Sequence, residues 1–320
     1  MRHADQVLAV VSEQSSAARS TVAASWLRSL TQYGLDPERF EAPEQVDTVR
    51  LREAEERMGR LLKAAQPTMD RLFEAVGQSG CCVLLTDRDG VPLDRRGHPG
   101  DDAAFRSAGL WTGMVWHEAR EGTNGVGTVL AEQRALTIHQ DQHFFTRHTQ
   151  LSCTAAPLFD HDGELAGALD VSGVRGDLDW AAIALIEQAV REAARKLAVS
   201  IRRAAYAGAR ILLSPDGDAN ALLAVDRDDM VVGATRAARR LHDITTPKVR
   251  AGLPASTILS PAPGESEDFA AAERGVILRA LARHEGNVTA AAAALRMSRA
   301  TLHRKLKRLG LNAARVLSHD

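Results

Sequence analysis

The chain has 320 residues, a formal net charge of -1, and 45% hydrophobic against 25% charged residues. That leaves room for two or three compact units, and bulk charge singles out no partner. Three cysteines, Cys81, Cys82 and Cys153, fit a reducing cytoplasm better than a disulfide scaffold. The N-terminal MRHADQV lacks the apolar run of a signal peptide, and no stretch approaches the length that crosses a bilayer.

Residues 8–33 read as one helix anchored by Trp26, Leu27 and Leu30, stopped at Gly34 and turned by Asp36 and Pro37. A second helix is expected over 43–77, where Leu51, Met58, Leu61, Leu62, Met69, Leu72, Phe73 and Val76 recur near helical spacing. It leads into a sensor domain or packs against a second subunit. From Cys81 the pattern changes: CCVLLTDRDGVPL reads as strand, turn, strand, with Cys81 and Cys82 on opposite faces. Further strands are expected at GVGTVLAEQ, RALTIH, SCTAAPLFD and LAGALDVSG, the last two joined by a turn at Asp160, His161, Asp162 and Gly163. A long helix follows over 178–205. The order implies an α+β sensor, an antiparallel sheet with flanking helices. The segment ALLAVDRDDMVVGATRAARRL repeats the strand, Asp-turn, strand, helix arrangement on a smaller scale. Residues 245–268, rich in Pro, Ser, Thr and Gly, read as a linker.

Charge concentrates in the tail. Residues 271–320 hold ten Arg or Lys against three Asp or Glu, a net of +7, the footprint of a local polyanion-binding surface. Three helices are expected there. The first carries Val276, Ile277, Leu278 and Leu281 as its apolar stripe and ends at Gly286. Asn287 caps the second, VTAAAAALR, and Ser298 caps the third, RATLHRKLKRLG. In the third helix Leu302, Leu306 and Leu309 face inward. Ala291, Ala292, Ala293 and Ala294 leave room for a close helix crossing. A short helix, a tight connection around Met297 and a basic helix are the parts of a helix-turn-helix. With the third helix entering the major groove N-terminus first, Arg299, Thr301 and His303 lie near base edges, and Arg304, Lys305 and Arg308 near phosphate. A solvated basic helix in a small bundle is the plainer alternative.

Residues 273–311 resemble the helix-turn-helix of the factor-for-inversion-stimulation (Fis) type, on Asn287, Val288 and Thr289 and on SRATLHRKL, residues 298–306. His303 stands where that family usually has tyrosine. The resemblance implies a dimer on inverted-repeat DNA, with Asn287, Ser298, Arg299, Thr301, His303, Arg304, Lys305 and Arg308 at the DNA.

The middle of the chain carries WHEAREGTNGVGTVLAEQ, in which Gly122, Gly125 and Gly127 allow close backbone approach. GTNGVG matches neither GxxxxGK[ST] nor GxGxxG, which argues against a phosphate loop. Residues 116–173, with SWLRSLTQYGLDP and CCVLLTDRDG before them, resemble the GAF sensor domain of the acetoin-catabolism and glycerol-metabolism activators. Residues around 221–241 resemble the start of a PAS domain. The GAF resemblance implies a pocket for a small organic effector, drawn from Trp111, Trp116, Glu118, Thr123, Asn124, His139, Phe144 and Cys153. Those activators usually carry a central ATPase that acts on the sigma-54 polymerase. Here about thirty residues separate the PAS-like fragment from the C-terminal helices, without a Walker A lysine motif, so that mechanism does not carry over.

The expected organisation is an N-terminal helical region (1–60), a GAF-like sensor (61–205), a PAS-like fragment (206–244), a linker (245–268) and an all-α Fis-type domain (269–320). His139, His143, His148 and Cys153 invite a metal or redox reading, but no paired Cys-x-x-Cys supports one. No nucleophile–base arrangement points to catalysis, and no cofactor is expected. The expected function is a cytoplasmic, non-enzymatic transcription regulator, a homodimer on double-stranded DNA. A small organic effector changes the GAF loops, and helix 178–205 and the linker pass the change on. The alternatives are a DNA-organising protein with a ligand-free GAF domain, and a redox- or metal-sensing regulator.

Overall fold

A computed structural model describes residues 2–13, 16–40, 42–214, 221–259, 273, 276, 277, 280, 281, 284 and 287–309. It divides into two units, residues 1–259 and 260–320.

The first unit is organised by an antiparallel sheet of order β2-β1-β5-β4-β3. Its strands are β1 (Cys81–Asp87), β2 (Pro92–Arg96), β3 (Leu136–His139), β4 (Ser152–Phe159) and β5 (Leu165–Gly173). All seven residues of β1 are buried, so its two faces serve two cores. Cys81, Val83 and Leu85 point to one face and pack with Met58, Leu61, Met69, Leu72, Ile186, Val190 and Leu197. These come from the long helices Thr48–Val76 and Trp180–Ala205. Cys82 and Leu84 point to the other face, under Phe105, Leu110, Trp116, Val126 and Val129. The separation of the two cysteines follows from the period of two along a strand. Burying each large aliphatic side chain in these cores contributes roughly 1.5–3 kcal/mol.

Two local expectations are corrected. GVGTVLAEQ is helix, Gly125–Glu132, not strand. Alternating small and apolar residues imitate a strand there, but the Asn124 side chain accepts the Gly127 N–H at 2.8 Å and starts a helix;. Residues 8–33 form three helices, His3–Ser12, Ser16–Arg19 and Thr21–Thr31, because Ser20 caps a new helix by accepting from Ala23 N. Helix Thr48–Val76 lies within the helix expected over 43–77.

A second antiparallel sheet, of order β6-β7-β8-β9, comprises Arg210–Leu213, Leu222–Val225, Met230–Ala234 and Leu253–Pro254. Helix Arg236–Leu241 follows its third strand. Residues 245–259, expected as the first part of a linker, instead contain helices Thr246–Arg250 and Ser256–Leu259 and the strand β9. The composition misleads because the same residues start helices: Thr245 accepts the Lys248 N–H and Pro247 sits in the first turn;. Ala255 and Ile258 are buried beside Leu223, Val225 and Val231, which makes this stretch part of a core. The rest of the expected linker, 260–268, lies outside the described residues.

In the second unit, helix Val288–Ala294 precedes helix Arg299–Arg308. The turn between them is made by Arg296 at φ 53°. Ile277, Leu281, Ala291, Ala292, Leu302 and Leu306 form its core. Val276, expected in the apolar stripe, is exposed, and Leu278 lies outside the described residues. Ala293 and Ala294 are exposed as well; only Ala291 and Ala292 lie where the helices close on each other.

A Cβ on Gly127 would meet backbone atoms of Glu118 and Trp116 at 2.6 and 2.7 Å, whereas one on Gly59 would meet nothing within 4 Å. Gly127→Ala is therefore expected to cost about 1–3 kcal/mol in urea unfolding. Gly59→Ala, in a helix interior, should be neutral or stabilising by up to ~1 kcal/mol. Equal effects would contradict the close docking of helix Gly125–Glu132.

Candidate functional site

The loop-covered face of the first sheet holds a buried polar cluster. On β4 and β5, Cys153 pairs with Ser172 and Ala155 with Asp170, so Cys153, Asp170 and Ser172 share this face. Gly125, the first residue of its helix, lies directly on them: a Cβ there would meet Cys153 Cβ at 2.6 Å and Asp170 Oδ1 at 2.9 Å. Ser172 Oγ donates to Asp170 Oδ2 at 2.5 Å. Asp170 Oδ1 is buried and has no hydrogen-bond partner among the described residues. Burial pushes this carboxyl up to about 7, against the pull of the Ser172 hydroxyl.

His143 completes the cluster. Its Nδ1 is 3.0 Å from the Gln140 carbonyl, which only accepts, so Nδ1 carries the proton;. Nε2 is then left to accept from the Cys153 thiol at 3.4 Å. Burial pushes His143 down to about 4 and the Cys153 thiol up. A protonated, buried thiol lacks the thiolate that redox or metal chemistry uses. Among the described residues no group of three or more His, Cys, Asp or Glu is placed to hold a metal ion.

The residues expected at an effector are mostly occupied elsewhere. Glu118 is a buried carboxylate held by Arg28 at 2.9 Å and by the Ser25 hydroxyl. Thr123 Oγ1 lies 2.6 Å from the same Ser25 Oγ. Together they lock helix Thr21–Thr31 onto the sensor. Asn124 caps its helix and also donates to the carbonyls of Trp116 and Gly122. Trp116 donates to Gly109 O at 2.8 Å. Phe144 packs with Val7, Trp26 and Phe145. His139 Nδ1 lies 2.7 Å from Ser152 Oγ, with its ring against Trp180. Trp111 is half-buried, with the guanidinium groups of Arg95 and Arg106 over its ring. Of the eight, Cys153 alone belongs to the Asp170 cluster. Neither Asp170 nor Ser172 was among the residues expected at a site, and His143 stood out only as a candidate metal ligand. A signal for the first was present: in LAGALDVSG, Asp170 occupies the same alternate register as Ala168 and Ser172, a carboxylate on the buried side of a strand.

In the second unit, the Asn287 side chain accepts from Thr289 N and Ala290 N, and Ser298 accepts from Thr301 N. Both are helix caps. Thr301 Oγ1 lies 2.8 Å from Ser298 Oγ. Lys305 and Arg308 both pair with Glu273, although Arg308 is itself exposed. Arg299, His303, Arg304 and Lys307 are exposed. At spacings of four, 299, 303 and 307 share one helix face, with Arg304 beside it.

The Asp170 carboxyl makes a pH prediction. Below about pH 4 it is protonated in folded and unfolded chains alike. As pH rises toward 7 the unfolded chain gives up the proton and the folded chain keeps it. Stability therefore falls through that window, by at most about 1.4 kcal/mol per pH unit. Asp170→Asn should remove this component, so the variant should gain stability relative to the parent from pH 4 to 7 in denaturant titrations. A constant difference would show that the carboxyl titrates normally.

Residues 60–201 match the GAF domain family and residues 269–309 the bacterial regulatory protein Fis family. The chain is 45% identical over 150 residues to the acetoin catabolism regulatory protein of Cupriavidus necator, covering 47% of this chain and 22% of that one. It is 29% identical over 182 residues to the acetoin dehydrogenase operon transcriptional activator AcoR of Bacillus subtilis, covering 56% of this chain and 30% of that one. The match to these two curated relatives thus spans less than a third of their length. Among solved structures, the E. coli DhaR(N)–DhaL complex shares the fold, with a TM-score of 0.51 and 20% identity, covering 81% of this chain and 86% of that one. The chain is a GAF-domain protein with a Fis-type helix-turn-helix, related to the acetoin-catabolism activators.

Proposed function

We propose that the protein regulates transcription by binding double-stranded DNA through helix Arg299–Arg308, under control of a small organic effector in the GAF domain. The observation that carries the DNA reading is the exposed face of Arg299, His303, Arg304 and Lys307 on a helix capped by Ser298. Phosphate contacts supply affinity and base-edge contacts supply choice of site. Arg299 and His303, near the helix start, suit base edges; Arg304 and Lys307 suit phosphate. Lys305 and Arg308 are first of all partners of Glu273 and reach DNA only by leaving it. Asn287, Ser298 and Thr301 act at the interface by fixing the helix starts. The protein works as a homodimer on an inverted repeat, in the cytoplasm, without a sigma-54 ATPase step.

The effector reading rests on the buried face around Asp170. An unpaired Asp170 Oδ1, covered by Gly125 at the start of its helix and set beside Cys153 and Ser172, is the polar anchor offered to a small molecule on this face. The relatives are named for acetoin catabolism, a small neutral substrate, and a molecule of that kind suits a carboxyl held neutral up to about pH 7. Binding there displaces helix Gly125–Glu132, and helix Trp180–Ala205 and the segment after it pass the change on. Residues 206–259 serve as a PAS-like relay.

The test is footprinting of the purified chain on genomic fragments that include its own upstream region. A protected inverted repeat is expected, with Arg299→Ala costing about 1–3 kcal/mol and relaxing base preference at one position. Uniform coverage without a preferred site would favour a DNA-organising protein instead.

A further inference from the structure

A cavity of about 320 Å³ opens at one end of the helix-covered face of the first sheet, the face opposite the Asp170 cluster. Its floor is apolar: Met58, Leu61, Ala166 and Ile201, beside Ala204 and Ala205. Its wall includes the two strand turns, with Asp87 and Asp160. Both carboxylates are engaged in those turns. Asp87 Oδ1 accepts from Asp89 N and Val91 N at 2.9 and 3.0 Å. Asp160 Oδ1 accepts from Asp162 N and Glu164 N at 2.8 and 3.0 Å. Three arginines stand at the rim. Arg57 lies 3.8 Å from Asp87. Arg60 and Arg88 line the cavity and are exposed, with no hydrogen bond or ion pair to any described residue.

We propose that this cavity is a second ligand site, which takes a short-chain monocarboxylate with its chain on the apolar floor and its carboxylate between Arg60 and Arg88. Two guanidinium groups that form no ion pair with any described residue, above an apolar floor, call for one anionic head on an apolar body;. The wall carboxylates of Asp87 and Asp160 disfavour a dianion such as a phosphate ester. The volume, at the small end of ligand pockets, sets the length. The site also has a route to the rest of the unit. The turn that supplies Asp160 and His161 is held from its other side by Tyr206 Oη, which donates to His161 O at 3.1 Å, and by Arg239, 3.2 Å from Asp162. A ligand against this turn stiffens the connection between the first sheet and the second.

The experiment is calorimetric titration of the full chain with straight-chain carboxylates from butyrate to octanoate, and with the primary alcohols of equal length. At least one carboxylate is expected to saturate a single site per chain, with its alcohol weaker by about tenfold or more. Arg60→Gln combined with Arg88→Gln should weaken it by about tenfold, and Ala205→Phe should block it by filling the floor. Asp170→Asn, on the opposite face, should leave this affinity unchanged, and so separates the site from the effector reading above. No saturation by any member of the series would overturn the proposal, as would equal binding of the alcohols. Loss of binding in Asp170→Asn but not in the arginine variants would move the ligand to the buried cluster and overturn it as well.

Discussion

A sheet covered on both faces constrains everything in the first unit. Each inward side chain of β1 and β5 belongs to one of two cores, and each polar group placed there must find its partner inside. The face under the two long helices meets this by being apolar. The other face does not: it carries Asp170, Ser172, Cys153 and His143, and it is covered by short helices and loops whose own polar groups also need partners. Glu118, Thr123 and Asn124 supply those partners, holding the helix starts and the N-terminal helix in place. The N-terminal helices are therefore part of the sensor, because Arg28 neutralises the Glu118 carboxylate and the Ser25 hydroxyl donates to it, where it would otherwise be buried alone;.

This arrangement separates groups that build the site from groups free to act. Glu118 and Asn124 are saturated and serve the architecture. Asp170 Oδ1 is buried without a partner, at a cost that a fully satisfied core would avoid. The same distinction divides the basic helix of the second unit. Lys305 and Arg308 pair with Glu273 and fasten the helix to its own unit, while the exposed Arg299, His303, Arg304 and Lys307 have no ion pair among the described residues. A count of positive charge in the sequence does not make this separation; the pairing with Glu273 does.

Much of the fold is legible in the sequence because period and punctuation agree. The turn DRDG between β1 and β2, the turn at Asp160, the two long helices and the caps Asn287 and Ser298 all follow from residue type and spacing. The failures have local causes. GVGTVL alternates small and apolar residues because its glycines must approach backbone, not because it is extended. TTPKV reads as loop composition, although threonine before proline is also how a helix starts. The site was less legible than the fold. Residues chosen for their chemistry, such as Glu118 and His139, had that chemistry already used by neighbours distant in sequence. Asp170 drew no notice because its lack of a partner is a property of the packed sheet and not of the strand that carries it.

In the proposed function the outward face of helix Arg299–Arg308 lies on the DNA phosphates and base edges. Its most direct test is the salt dependence of DNA affinity for the full chain and for Arg304→Ala. A phosphate contact released in each protomer of the dimer should lower the slope of log affinity against log salt by about 0.9 per contact, about 1.8 in all, with affinity reduced on all sequences alike. An unchanged slope and affinity in Arg304→Ala would contradict the assignment and place the DNA on another surface.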